Sequence, residues 1–191
     1  MLLTTIRARL RHSTAALHVE AEQKLELQGL SLDGYRLLLQ AFYGFHAPLE
    51  ARLARAPPAP GFAWPARAAL LERDLRAMGA PAVARLPLCG QLPALESAAR
   101  RAGCLYVIEG ACLGGPIIAR GLRERLGLGP TTGAAFFAGE GAGTAARWSQ
   151  VIAWIEGLAQ EGAPQEEMVS AACETFRALL RWSQERGVAR A

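Results

Sequence analysis

Apolar residues recur along this chain at helical spacing almost from end to end. Leu3, Ile6, Leu10, Leu17, Val19 and Leu25 mix with charge at helix-like spacing, which predicts a first helix over about 2–27 stopped by Gly29. Ser31 is a ready N-cap for a second helix carrying the stripe Tyr35, Leu38, Leu39, Phe42, Phe45 and Leu49, ended by "APPAP" at 56–60. After the turn-rich "PPAPGFAWP" (57–65), "ARAALLERDLRAMG" reads as a third helix closed by Gly79. A proline-punctuated loop, 80–91, leads to Pro93 at a first helical position and a long helical region reaching about Leu126. "GLGPTTGAAFFAGEGAG" (127–143) is too glycine-rich for more than a loop with a short ordered turn. Two amphipathic helices follow, near 144–160 and 164–186. No alternating strand pattern and no internal repeat occurs, so the fold class is all-α.

A chain of 191 residues with 51% hydrophobic residues can build one sizeable core and is short for two, so residues 1–191 are expected to form a single domain. The net charge is only +4, and the 21 basic residues, all arginine except Lys24, are scattered among 17 acids. That argues against nucleic acid as a partner and leaves room for a locally basic face. Cys89, Cys104, Cys112 and Cys173 lack metal-site spacing, which fits reduced thiols in a cytoplasm. Arg7, Arg9 and Arg11 interrupt the opening segment, unlike a signal peptide, and no uninterrupted apolar run of about 20 residues suggests a membrane span.

Two places carry candidate chemistry. In the first helix, Arg11, Thr14, His18 and Glu22 recur at spacings of three or four and share a face. Glu22 can engage one imidazole nitrogen of His18 and leave the other for a metal, but an amphipathic-helix histidine paired with a neighbouring acid has the same spacing. His12 faces elsewhere, and His46, beside Phe42 and Phe45, reads as packing. The second place is "LYVIEGACLGGPII" (105–118). Gly110 and Gly114 stack on one helix face and Gly115 widens the bare strip, while Pro116 clashes with the Cys112 carbonyl and favours a kink. Such a notch admits either a flat ligand or another helix, and spacing alone favours the helix. Cys112 points away from Gly110 and reads as core.

Taken together, "LRHSTAALHVEAE" (10–22), "YGFHAPLE" (43–50) and "GCLYVIEGACLGGPIIARGL" (103–122) resemble the haem oxygenase family, particularly its bacterial, biliverdin-forming members. The resemblance implies a helical fold with haem (heme b), at once cofactor and substrate, between the first helix and a kinked, glycine-rich distal helix. It implies His18 as the iron ligand, Glu22 on its other nitrogen, and Gly110, Gly114 and Gly115 over the opposite haem face. Arg11 and Tyr106 match positions used near a haem propionate. Arg177 and Arg181, four apart on the last helix, could add positive charge.

The implied activity is opening of the macrocycle with O2 and reductant to give biliverdin, CO and ferrous iron. Electrons would come from a donor protein such as a ferredoxin, a flavodoxin-like protein or a reductase, and the biliverdin could feed a bacterial phytochrome. One position departs from the animal enzymes, where an aspartate follows the first distal glycine. Here it is Ala111. That departure is the feature to cite for a haem storage or delivery protein, and a thiaminase-like or quinone-cofactor enzyme on the same fold is the third reading.

Overall fold

Helix boundaries at Ser31 and Gly127 follow from those residues' own chemistry. The computed structural model describes residues 5–25, 27, 29–57, 59, 61–80, 82–139, 141, 143–189. They form α1 (Ile6–Leu25), α2 (Leu32–Leu53), α3 (Arg67–Ala77), a 3-10 turn (Val83–Arg85), α4 (Ala98–Ala111), a second 3-10 turn (Cys112–Gly114), α5 (Gly115–Leu126), α6 (Ala135–Ala138), α7 (Gly143–Gln160) and α8 (Gln165–Glu185). No strand occurs among the described residues. Ser31 caps α2 as its sequence implies, its Oγ accepting from the Gly34 N–H at 3.1 Å. Gly127 closes α5 at φ 68°, a left-handed conformation that glycine adopts without a Cβ clash. The expected start of the first helix near Leu2 and two prolines of "APPAP", at 58 and 60, lie outside the described residues.

The start of the distal helical region differs from the sequence expectation. Pro93 is not its first residue; the chain stays irregular until Ser97, whose Oγ accepts from the Arg100 N–H at 3.1 Å and donates to Glu167 Oε2 at 2.6 Å. A serine that can serve both a cap and a partner helix outcompetes a proline that can only tolerate a helix start.

Two prolines interrupt helical hydrogen bonding, and each freed carbonyl is taken up. Pro48 lies inside α2 and cannot donate to the carbonyl of Gly44 four residues back. The Cys89 N–H donates to that oxygen instead, at 2.8 Å. Pro116 likewise leaves the Cys112 carbonyl without its usual donor, and the Gly115 N–H takes it in a tighter i to i−3 bond. The expected kink is therefore a single 3-10 turn between α4 and α5.

α8 is the spine. Its buried face, including Met168, Ala171, Ala172, Thr175 and Phe176, packs against α4 and α1. Gly103 lets α4 come close, since a Cβ there would lie 2.0 Å from the Met168 carbonyl oxygen. The registers run the same way: Arg9, Ser13 and His18 of α1 meet Gln165, Cys173 and Phe176, while Ser97 and Cys104 of α4 meet Glu167 and Thr175. Helices α1 and α4 therefore run parallel along one side of α8.

The run Ala98–Leu126 is by length and composition apolar enough to cross a membrane. In this bundle it is a core element, with Ala102, Cys104, Leu105 and Ile108 buried in the common hydrophobic cluster.

Candidate functional site

The site begins where α1 and α4 meet. Thr14, held in the core by donating to the Leu10 carbonyl at 2.8 Å, interacts through its hydroxyl with that of Tyr106. Burial pushes the Tyr106 hydroxyl above the usual phenol range, while Thr14 and the charges of Arg7 and Arg11 pull the other way. The charge of Arg11 thus acts on Tyr106, ninety-odd positions away in sequence and paired with it only by resemblance. Arg7 joins them. It sits one turn before Arg11 on the same face, a spacing that could have flagged it.

One turn beyond this contact, on the two parallel helices, come His18 and Gly110. His18 is 56% exposed and its Nδ1 lies 3.5 Å from Glu22 Oε1, itself on an exposed side chain. The ring's edge rests on Phe176 of α8, centroids 6.0 Å apart at 71°. Anchored on Nδ1 and on its edge, the imidazole leaves Nε2 to an incoming group. Among the described residues no group of three or more His, Cys, Asp or Glu converges to hold a metal.

The three glycines face three different things. A Cβ on Gly115 would come 2.4 Å from the Phe137 carbonyl oxygen, so its bare Cα admits the backbone of α6. This corrects the expectation that all three bare one continuous strip for a ligand. A Cβ on Gly110 would touch the Trp148 indole of α7 at 3.4 Å, and that ring also packs on Tyr106 with centroids 5.5 Å apart. Beside Gly114 there is nothing within 4 Å. Its φ of −79° and ψ of −14° suit any residue, so neither packing nor backbone conformation requires glycine there. Leu113 and Ile117, 46% and 70% exposed, flank it with apolar surface that no part of the described fold covers.

Several other expectations meet the structure here. Cys112 is half-buried rather than core, its thiol donating to the Ile108 carbonyl at 3.3 Å. Ala111 is exposed and brings no polar side chain. His46 is packing, as expected, with its ring edge on Phe136 at 5.5 Å and its Nδ1 3.5 Å from Glu50 Oε1. Arg177 is exposed beside Phe176, whereas Arg181 lines a separate cavity of about 290 Å³ with Cys89, Trp182 and Glu185. A larger cavity of about 570 Å³, between Arg101, Trp154 and Glu161, also lies away from His18 and Gly114.

Sequence reasoning missed Glu109, which is 2% exposed on α4. Arg67 Nη2 donates to its Oε2 at 2.8 Å and Arg147 Nε to its Oε1 at 2.9 Å. Burial pushes this carboxyl up, but the hydrogen bonds and charges of Arg147 and Arg67 more than reverse that and hold it below the usual carboxylate range. Trp148 and Phe176 were missed too, since an aromatic on an amphipathic helix looks like any other core residue.

An exposed histidine on α1, an arginine pair acting on a tyrosine of α4, and an open glycine in the turn after α4 place the chain in the class of all-helical bundles whose candidate site lies between two parallel helices. Comparison with known proteins gives that class its family. Residues 4–185 match the family described as Heme oxygenase, and the chain belongs to it. A protein named heme oxygenase from Xanthomonas campestris pv. campestris (strain 8004) is 46% identical over 65 residues, 34% of this chain and 36% of that protein, so the matched stretch spans about a third of the relative's length. The fold is similar to the NO- and CO-bound heme oxygenase from Neisseria meningitidis, with a TM-score of 0.74 and 22% identity, covering 95% of this chain and 92% of that one.

Proposed function

We propose that this protein is a haem-degrading monooxygenase that binds haem as its substrate and opens the macrocycle with O2 and reductant to give biliverdin, CO and ferrous iron. The observation that carries the reading is that His18 of α1 and Gly114, in the turn that follows α4, both come beyond the Thr14–Tyr106 contact of the two parallel helices, with Gly114 facing open space. Family membership supports the same chemistry.

Haem bound here supplies the redox-active iron and the carbon skeleton to be cut. The chain's own residues do the holding. His18 Nε2 ligates the iron, and Glu22 orients and enriches the imidazole through Nδ1. Arg11 and Arg7, with the Tyr106 hydroxyl, receive a propionate, for which guanidinium geometry is suited. Gly114 lets backbone lie against the porphyrin and keeps the oxygen pocket small, with Gly110 and its indole neighbour as one wall. Gly115 acts at one remove, by seating the turn on α6. The net charge of +4 suits an acidic electron donor, a ferredoxin, flavodoxin-like protein or reductase. The four free thiols suit a cytoplasmic protein, whose biliverdin could supply a bacterial phytochrome.

The exposed Ala111 favours a second reading, a haem carrier, because it offers no hydrogen-bonding side chain beside the glycines. One experiment decides. Hemin is added to purified protein, then reductant and oxygen, while spectra are recorded. A histidine-ligated Soret band that decays to a biliverdin absorption is the expected result. A stable haem spectrum favours the carrier, and absence of binding overturns both. His18→Ala should lose the native ligation spectrum and turnover; unchanged spectra would remove His18 from its assigned role.

A further inference from the structure

Burying the charges of Glu109, Arg67 and Arg147 together carries a desolvation cost that well-packed apolar residues would avoid. The haem assignment above uses none of the three. Their geometry indicates what the triad does. Arg147 is fixed on several sides: Nε donates to Glu109, Nη2 donates to the Ala63 carbonyl at 3.0 Å, and the guanidinium carbon lies 5.7 Å from the centroid of the Phe62 ring. The next residue is Trp148, whose indole covers Gly110, and Gly110 is the residue after Glu109.

Two adjacent residues of α4 thus meet two adjacent residues of α7, one pair ionic and one pair glycine on indole. On α4 the Tyr106 ring meets the indole at one contact, but Gly110 offers no ridge against which the ring can index at the other. The arginine, held by Glu109, the Ala63 carbonyl and the Phe62 ring, supplies the index.

We propose that Arg147, locked by Glu109, is a positioning residue that sets the height of the Trp148 indole over Gly110 and so the width of the gap beside Gly114 that a planar ligand enters. The consequence for the ligand rests on the haem reading; the placement of Trp148 does not. Arg147→Gln is the variant of choice because it leaves Trp148 untouched and leaves Glu109 paired with Arg67.

The first readout needs no haem. In ligand-free protein with isotopically labelled glycine, the Gly110 α-protons, assigned by loss of their signal in Gly110→Ala, should be displaced from ordinary glycine positions by the indole ring current. Arg147→Gln should return them toward ordinary glycine positions, and Arg147→Lys, which keeps the cation but not the fork, should fall between. Unchanged Gly110 shifts in Arg147→Gln overturn the proposal. If that variant does not fold by circular dichroism, Arg147→Lys is read in the same way, and unchanged shifts in it overturn the proposal equally.

The second readout is the proton spectrum of the hemin- and cyanide-loaded protein. One dominant set of haem methyl signals is expected for the native chain and additional sets for Arg147→Gln. An identical single set in the variant overturns the link from Arg147 to ligand seating. Failure of the native chain to take up hemin overturns the haem reading instead, while the Gly110 shifts still decide the role of Arg147.

Discussion

At the scale of single residues, the glycines show how one residue type answers different needs a few positions apart. Gly115 is required by the fold: Gly115→Ala forces a methyl group against the Phe137 carbonyl and should destabilise the protein by about 1–3 kcal/mol, read as a lower denaturation midpoint. Gly114→Leu should leave the midpoint near that of the native chain, since a side chain there meets open space and the backbone conformation suits any residue, while reducing haem turnover by filling the gap. A loss of stability from Gly114→Leu would show that the protein itself needs glycine there. Glu109 gives a pH prediction. Its folded-state carboxyl titrates below the ordinary value of 4.5, so between those two values the unfolded chain binds more protons and stability falls as pH falls. Glu109→Gln should flatten that part of a stability-versus-pH curve measured by urea denaturation. The sequence showed that Gly110, Gly114 and Gly115 were too many for an ordinary helix, but not which faced what. The answers depend on Trp148 and Phe137, which arrive from distant segments.

Among elements, the helices themselves were legible and the irregular joints were not. The periodicity of α1, α2, α3, α7 and α8 located each within a few residues, because every one buries a single apolar stripe on a neighbour. The start of α4 was misplaced at Pro93 because a proline permits a helix start without compelling one. What compels it is Ser97, bonded both to Arg100 and across to Glu167. Ser97→Ala should therefore cost about 1–2 kcal/mol, at the upper end for a lost N-cap, in thermal or urea unfolding. Ser31→Ala, where the cap bond stands alone on an exposed residue, should cost less. The irregularity near Pro116 was legible as a place but not as a form. A proline forbids one bond, and only the surrounding backbone determines that Gly115 replaces it with a 3-10 turn.

For the molecule as a whole, the arrangement of α1 and α4 on α8 could not be read from either motif alone. Each carries half a site, and it is the shared spine that sets them parallel and in register. The same logic extends to the segment between the 3-10 turn at Val83–Arg85 and α4, which has little regular hydrogen bonding of its own. Its Cys89 amide is tied to Gly44 because Pro48 leaves that carbonyl available. The proline therefore works as a reserved socket, and the thiol beside it, buried in the native state, becomes a clock for how often the strap comes loose. Under native conditions a thiol reagent followed by peptide mass analysis should modify Cys89 well before Cys104, which lies under the close crossing of α4 and α8 with its thiol pushed up to about 12. Pro48→Ala, by restoring a competing donor to the Gly44 carbonyl, should speed labelling of Cys89 and leave Cys104 waiting for the whole bundle to open.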